Sequence, residues 1–426
     1  MHNLCEYSFD ELYEIASGIS SKKDQAGHGS PFLSFSTVFN NYFVPDVLPD
    51  CMESSTIEQS TYSIQSGDIF LTRTSELVDE LAISCVAIKD YPSATYSGFL
   101  KRLRPTQDNV TYPKFMAFYL RSPHFRKTMK NNSVMTLRAS FNEAMFSYLK
   151  LLLPDYDDQV KIGDFLYLLE AKMSNNTRTC FELESIAKTI YNYWFIQYEY
   201  PTPLKYAVDF GDSTLCDRPY KSSGGKMVYN DDLKREIPFG WSVDSLYGIA
   251  RYYNGLPLQK YRPTGEDYIP VIKIKEMSEG ITPKSEKASP DIPSEAIISD
   301  GDFLFSWSAS LEIKIWSGGK GALNQHIFKV TSDKYPQTFY YFELVNYLKH
   351  LKMLAEKRKT TMGHITLEHL KQAKICLPPI DILEKAHNII KPLLEQHLAL
   401  SKQNLQLANL RDWLIPVFMN GQIRFH

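Results

Sequence analysis

Apolar residues along this chain follow two textures that alternate twice. Up to Leu153 short apolar runs alternate with turns. Ile69-Phe70-Leu71 and Ala82 to Ile88 are rich in β-branched or aromatic residues and bounded by Gly, Asp, Ser or Pro, which predicts strands. Phe115 to Arg121 has helical spacing. From Pro154 the pattern changes, with no Gly or Pro between Asp164 and Tyr200. Ile162, Leu169, Leu183 and Ile190 follow a seven-residue rhythm, with Phe165, Leu166, Met173, Ile186 and Trp194 beside them. The mixed texture then returns: Ile269 to Ile274, Phe303 to Phe305 and His326 to Val330 read as strands, and Phe339 to Lys352 as a helix. After Pro378 the rhythm resumes, with Leu393, Leu400, Leu407 and Leu414 at every seventh position.

Seven-residue apolar spacing makes a seam that requires a partner helix. One chain holds two such seams, so they are expected to pair with each other, 155–198 against 380–415 and antiparallel. Asn176 and Asn404 fall on the seam, where they either fix register or sit at a solvated edge. Pro392 predicts a kink or a late start in the second helix.

The stretch from Tyr191 to Leu246 carries Pro201, Pro203, Gly211, Pro219, Gly224, Gly225 and Pro238, which predicts a joint without regular elements. Insertions between Thr202 and Ser222 are therefore expected to be tolerated better than in either helix. The halves flanking this joint match in order. Ser8-Phe-Asp-Glu-Leu-Tyr-Glu-Ile-Ala answers Ser242-Val-Asp-Ser-Leu-Tyr-Gly-Ile-Ala, and Ser66-Gly-Asp-Ile-Phe-Leu answers Asp300-Gly-Asp-Phe-Leu-Phe. Leu151-Leu-Leu-Pro answers Ile375-Cys-Leu-Pro, and Trp194-Phe195 answers Trp413-Leu414. Four ordered matches mark an internal repeat. The expected fold class is α+β: two mixed α/β domains in pseudo-twofold tandem, separated by two long helices forming an antiparallel coiled coil. The expected boundaries are 1–152, 153–199, 200–238, 239–378 and 379–426.

Composition narrows the function. A chain of 426 residues, 43% hydrophobic and 13% aromatic, is expected to fold into two or more domains. A net charge of −2 gives no global basic field, so a nucleic-acid partner must meet local patches. The six cysteines form no CxxC, which argues for reduced thiols in the cytoplasm and against a sequence-local zinc site. The N-terminal MHNLCEYSFDEL lacks a basic region followed by an apolar run, so no signal peptide is expected, and no run suffices to cross a membrane.

Catalytic motifs are missing as well. Gly224-Gly-Lys-Met and Gly318-Gly-Lys-Gly fail as phosphate loops, and there is no Gly-x-Ser-x-Gly or His-Glu-x-x-His. Pro154-Asp155 with Glu170 and Lys172 matches a metal-dependent nuclease pattern formally, but the latter two lie on the seven-residue helix and read as solvated charges. The only Pro-Pro, in Leu377-Pro-Pro-Ile, is not the tetrapeptide of amino-methyltransferases. What remains is a binding protein with duplicated readers, suited to duplex DNA with two half-sites.

Several strings carry a more specific likeness. They are Trp194-Phe-Ile, Pro219-Tyr-Lys-Ser-Ser-Gly-Gly-Lys-Met-Val, Lys234-Arg-Glu-Ile-Pro-Phe-Gly-Trp, Gly301-Asp-Phe-Leu-Phe-Ser-Trp-Ser, Asn324-Gln-His-Ile-Phe-Lys-Val and Leu410-Arg-Asp-Trp-Leu-Ile-Pro-Val-Phe-Met-Asn-Gly-Gln-Ile. In these the chain resembles a specificity subunit of a type I restriction–modification system, over essentially its whole length. The resemblance implies a non-catalytic subunit whose two target recognition domains each read half of a bipartite double-stranded DNA sequence. It implies that the coiled coil spaces them and docks two methyltransferase subunits, beside restriction or motor subunits. S-adenosylmethionine, ATP and Mg would then belong to those partners, with no cofactor and no metal on this chain. A related type II-like restriction–methylation enzyme and a coiled-coil protein-binding adaptor are the alternatives.

Base edges are read by Arg, Lys, amide and hydroxyl groups, and phosphates by Lys, Arg and hydroxyls. The DNA-binding candidates in the first domain are Thr72, Arg73, Thr74, Arg138 and Ser140. In the second they are Lys260, Ser306, Ser308, Lys357, Arg358, Lys359, Thr361 and His364, with Trp307 expected to pack in the core. Asn324, Gln325 and His326 recur in such domains of differing target, so a structural or phosphate-facing role is expected of them.

Overall fold

A computed structural model describes residues 4–20, 23–75, 80–132, 139–140, 149–209, 211–308, 310–357 and 364–422. The chain divides into two compact units, 1–174 with 406–426, and 175–405. Each unit contains one mixed module together with segments of both long helices, Tyr156–Phe195 and Ile380–Met419.

The modules share a plan. In the first, strand Cys5–Ser8 pairs antiparallel with Lys150–Leu153, and a four-residue helix, Phe9–Leu12, leads into strand Tyr13–Ser17. In the second, Ser242–Ser245 pairs with Lys374–Leu377, followed by helix Leu246–Ile249 and strand Arg251–Asn254. Ser8 and Ser245 stand at the N-terminal cap of these helices: the Ser8 N–H donates to Glu11 Oε2 at 2.6 Å, and Ser245 Oγ accepts from the Gly248 N–H at 3.1 Å. They face Lys150 and Lys374 in their ladders. The structure therefore equates Ser8 with Ser245, not with Ser242 as the identity match suggests. Phe9 and Leu12 are buried in one helix and Leu246 and Ile249 in the other, so matching Leu12 to Leu246 slips by one three-residue step.

An antiparallel four-stranded sheet follows in each module. Its order is 13–17, 100–105, 69–72, 84–86 in the first, and 251–254, 327–331, 303–306, 312–315 in the second. The Gly-Asp anchor opens the 69–72 and 303–306 strands for a physical reason. Gly67 (φ 90°) and Gly301 (φ 91°) adopt the left-handed conformation that favours glycine. Asp68 and Asp302 then close the turns by accepting from the Gln65 and Ser299 N–H groups, each at 2.7 Å. Both carboxylates have cations, Arg104 at 2.6 Å and Lys329 at 2.9 Å.

Some predicted elements change. Strand Ile269–Ile272 stops before Ile274, which opens helix Ile274–Glu279. The strand predicted over Ala82 to Ile88 is only Ser84–Val86. Pro392 neither breaks nor delays the second helix, which starts at Ile380 and runs through it. The joint has regular structure: helix Leu204–Asp209, a hairpin of Met227–Asn230 with Arg235–Pro238, and an aromatic core. Tyr200 stacks on Tyr220 at 4.8 Å and lies 5.2 Å from Trp241. Thr202 is buried with its hydroxyl bonded to Arg218 O at 2.8 Å, so an insertion there opens packed structure.

The long helices pair in opposite directions within each unit. In the first unit Ile162, Phe165, Leu166 and Leu169 join one core with Leu414, Ile415 and Phe418, and Phe165 meets Phe418 at 5.9 Å. Glu170 pairs with Arg411, a half-buried bond between helices where a solvated charge is expected from the sequence. In the second unit Cys180 lies 3.8 Å from Ser401, and Ala187, Tyr191 and Trp194 share a core with Ile382, Leu383, Ala386, Ile390 and Leu394. Leu183 is buried, and Ile190, Leu393, Leu400 and Leu407 are half-buried. Asn176, only 1% exposed, donates its amide to Gln403 Oε1 at 2.8 Å and Asn404 Oδ1 at 2.9 Å, while Asn404 donates to Thr177 Oγ1 at 3.0 Å. Among the described residues no helix is long and apolar enough to cross a membrane.

Asn176→Ala removes a buried amide and the two bonds it donates across the seam, to exposed Gln403 and half-buried Asn404. It should cost about 0.5–1.5 kcal/mol, read as a lowered urea midpoint. A second expectation concerns buried Glu343, which accepts from Tyr191 Oη at 2.6 Å and whose pKa burial raises to about 7. The folded chain holds a proton that the unfolded chain releases near pH ~4.3. This stability is complete below that pH and is lost as pH rises through about 7. Glu343→Gln should flatten the decline, worth on the order of 3 kcal/mol, in urea midpoints measured from roughly pH 4 to 8.

Candidate nucleic-acid interface

One end of each four-stranded sheet is built on the same backbone frame. In the first module strands 13–17 and 69–72 finish where 100–105 begins, and in the second 251–254 and 303–306 finish where 327–331 begins. The Arg73 N–H donates to Phe99 O at 2.9 Å, and the Trp307 N–H donates to His326 O at 3.3 Å. Gly18 and Gly255 pass so close to the facing chain that a Cβ would lie 2.3 Å from Ser97 O or Asn324 O, and only glycine fits.

Two hydroxyls lock the frame from inside. Thr72 Oγ1 donates to Glu80 O at 3.1 Å and accepts from the Ile83 N–H at 2.9 Å. Ser306 Oγ donates to Ser310 O at 2.6 Å and accepts from the Glu312 N–H at 2.8 Å. Both side chains are 0% exposed, which corrects their selection as DNA-facing donors. Ser308 is also buried, so it too is withdrawn from that role.

The outward side chains differ between modules. The first presents exposed Arg73, exposed Ser17, and Phe99 at 66% exposure. Lys101 Nζ donates to Ser17 Oγ at 2.8 Å. The second presents half-buried Trp307, whose indole N–H donates to Asn254 Oδ1 at 3.0 Å. Its ring packs 5.6 Å from His326, 5.5 Å from His364 and 5.9 Å from Phe328, a partly buried position rather than a full core one. Gln325 Nε2 stands 3.4 Å from His326 Nε2, and His326 Nδ1 is buried without a partner among the described residues.

The other candidates are spread unevenly. Thr74 and Ser140 face each other in a two-residue ladder. Lys260 is exposed on the turn Leu258–Lys260, Lys357 ends the helix Gln337–Lys357, and exposed His364 reaches Trp307. Arg138, Arg358, Lys359 and Thr361 lie outside the described residues. Asn324 is buried and accepts from the His326 N–H at 3.3 Å, a structural role. Ser17, Phe99 and Asn254 escape selection by residue type. The signal for two of them is a polar residue directly before the close-packed glycine, Ser17-Gly18 and Asn254-Gly255. Among the described residues no cluster of His, Cys, Asp or Glu is suited to a metal ion.

A family model described as the type I restriction modification DNA specificity domain matches residues 4–185 and 238–409. The chain belongs to that family. It is thus a type I specificity subunit, and its two modules are the recognition domains. It is 23% identical over 370 residues to the MjaIX specificity subunit of Methanocaldococcus jannaschii, covering 84% of this chain and 79% of the relative. The HindI specificity subunit of Haemophilus influenzae is 23% identical over 466 residues, covering 98% and 99%. The solved S subunit of a type I restriction–modification system from M. genitalium shares the fold, with a TM-score of 0.57 at 11% identity over 98% of this chain and 96% of that one.

In this specificity subunit the internal hydroxyls hold the frame while outward groups vary. Thr72→Val and Ser306→Ala should each lower stability by about 1–3 kcal/mol, because the Ile83 or Glu312 N–H loses its acceptor. Urea unfolding of the purified chain checks the size.

Proposed function

We propose that this chain is the non-catalytic DNA-reading subunit of a type I complex, with each recognition domain reading one half of a bipartite target. The observation that carries this reading is the repeated frame with unlike side chains at equivalent positions, exposed in the first domain and, apart from exposed Asn254, half-buried in the second. Arg73, Ser17 and Phe99 in one domain answer Trp307, Asn254 and His326 in the other. A fixed backbone supports differing hydrogen-bonding and stacking surfaces, as two readers of different half-sites require.

The long helices act as spacer and dock. Forty residues in each correspond to about 60 Å, enough to hold two readers more than one duplex turn apart. Leu168, Phe181, Ile186 and Trp413 remain exposed on these helices, and such apolar groups favour cover by another protein. The partners are two adenine-N6 methyltransferase subunits and the motor/endonuclease subunits. S-adenosylmethionine, ATP and Mg are used there, and the assembled complex works in the cytoplasm.

Exchanging residues 1–152 or 239–378 for the matching domain of a related subunit should change one half of the target and leave the gap intact. Sequencing of modified adenines from the assembled complex, before and after exchange, reads this directly. Change in both halves, or in the gap alone, overturns the two-reader model.

A further inference from the structure

A chain of contacts in the first unit runs from the long helices to the reading edge of the first domain. Arg411, on the second long helix, pairs with Glu170 on the first. Its guanidinium also lies 4.9 Å from the centre of the Tyr42 ring, within cation–π range. A second guanidinium, that of Arg121, lies 4.8 Å from the same ring centre. Arg121 has no carboxylate within ion-pair distance among the described residues. It donates instead to Ser84 O at 2.7 Å, Val38 O at 2.8 Å, Phe39 O at 3.1 Å and Asn41 O at 2.7 Å. Those carbonyls belong to the segment around Tyr42 and to edge strand Ser84–Val86. The Val86 N–H in turn donates to Tyr42 O at 3.0 Å. One residue before that strand, Ile83 is bonded to Thr72 through both its N–H and its carbonyl, and Thr72 directly precedes exposed Arg73.

We propose that Arg411 is a positioning residue for DNA recognition: by clamping Tyr42 it fixes the angle of the first domain's reading edge on the two helices. The inference rests on the two-reader function above. Three features separate this clamp from ordinary packing. A planar cation is held by a carboxylate on the other helix, so its direction is set by the spacer and not by the domain. Its contact on the domain is one ring, shared with an arginine bonded to four backbone carbonyls, so displacement of the ring is transmitted to backbone. The path ends at a residue type that reads base edges or phosphates. Half-site spacing is geometric, so a loosened angle widens the range of gaps accepted.

The test uses the full chain assembled with its methyltransferase subunits, carrying Arg411→Ala, Arg411→Lys or Tyr42→Leu. Leu169→Ala serves as a control that trims the same apolar core while keeping the Arg411, Glu170, Tyr42 and Arg121 side chains. Modified adenines are mapped on DNA holding the target with its native gap and with gaps one base pair shorter and longer. Arg411→Ala and Tyr42→Leu should reduce the preference for the native gap by roughly 2- to 30-fold. Leu169→Ala should leave that preference unchanged, and Arg411→Lys should restore part of it. Tyr42→Leu keeps the test available if Arg411→Ala fails to fold. Uniformly slower methylation with an unchanged gap preference in both clamp variants overturns the inference. A wild-type complex that shows no bipartite target overturns the function beneath it instead.

Discussion

Two apolar seams on one chain set the terms for everything else. A helix with leucine or isoleucine at every seventh position cannot leave that stripe in water, and burying one such side chain is worth about 1.5–3 kcal/mol. In each compact unit a segment of one long helix meets a segment of the other running the opposite way, and the module closes over them. A repeating apolar stripe alone tolerates slippage by whole heptads. Polar groups remove that freedom here: the Asn176 amide on Gln403 and Asn404 in the second unit, and Glu170 on Arg411 in the first. A slide by a heptad keeps most apolar contacts but strips buried Asn176 and the half-buried Glu170–Arg411 pair of their partners, which disfavours it.

Duplication then separates what must be kept from what is free to change. Gly67 and Gly301 supply the same left-handed turn, and Asp68 and Asp302 close it. Gly18 and Gly255 allow the same close passage, and Thr72 and Ser306 lock the same strand end. All of these satisfy backbone groups or spaces that leave no alternative. The neighbouring outward positions carry no such obligation. Arg73 stands where Trp307 stands, and Phe99 where His326 does, without disturbing the hydrogen bond between their backbones.

This division explains what was legible in the sequence. Helical seams show because burial imposes a period, and the Gly-Asp anchors show because a turn and its closure demand those residue types. The first anchor misled because identity favoured Leu12 against Leu246, whereas burial pairs Leu12 with Ile249. Thr72 and Ser306 were legible as special, but a hydroxyl that caps a backbone turn looks the same in sequence as one that faces DNA. Ser17, Phe99 and Asn254 were hidden because their neighbours arrive from distant strands. The joint looked irregular because its prolines and glycines conceal an aromatic core assembled from Tyr200, Tyr220 and Trp241.

The two domains are fastened to the helices by partly different chemistry. In the first, Tyr112 and Lys114 both donate to Asp164 at 2.7 Å, and Arg411 and Arg121 share the Tyr42 ring, so charge does much of the holding. In the second, Tyr191 donates to Glu343, Tyr341 donates to Glu184 at 3.1 Å, the Asn346 amide donates to Asn192 at 2.9 Å, and Lys402 pairs with Asp300 at 2.8 Å. Burial pushes Glu343 toward its neutral form. Exposed ion pairs in either attachment weaken as salt screens them, whereas buried Glu343 responds to proton activity. Both attachments thus combine an ion pair with hydrogen bonds from neutral donors, and the second adds a buried carboxyl held toward its neutral form.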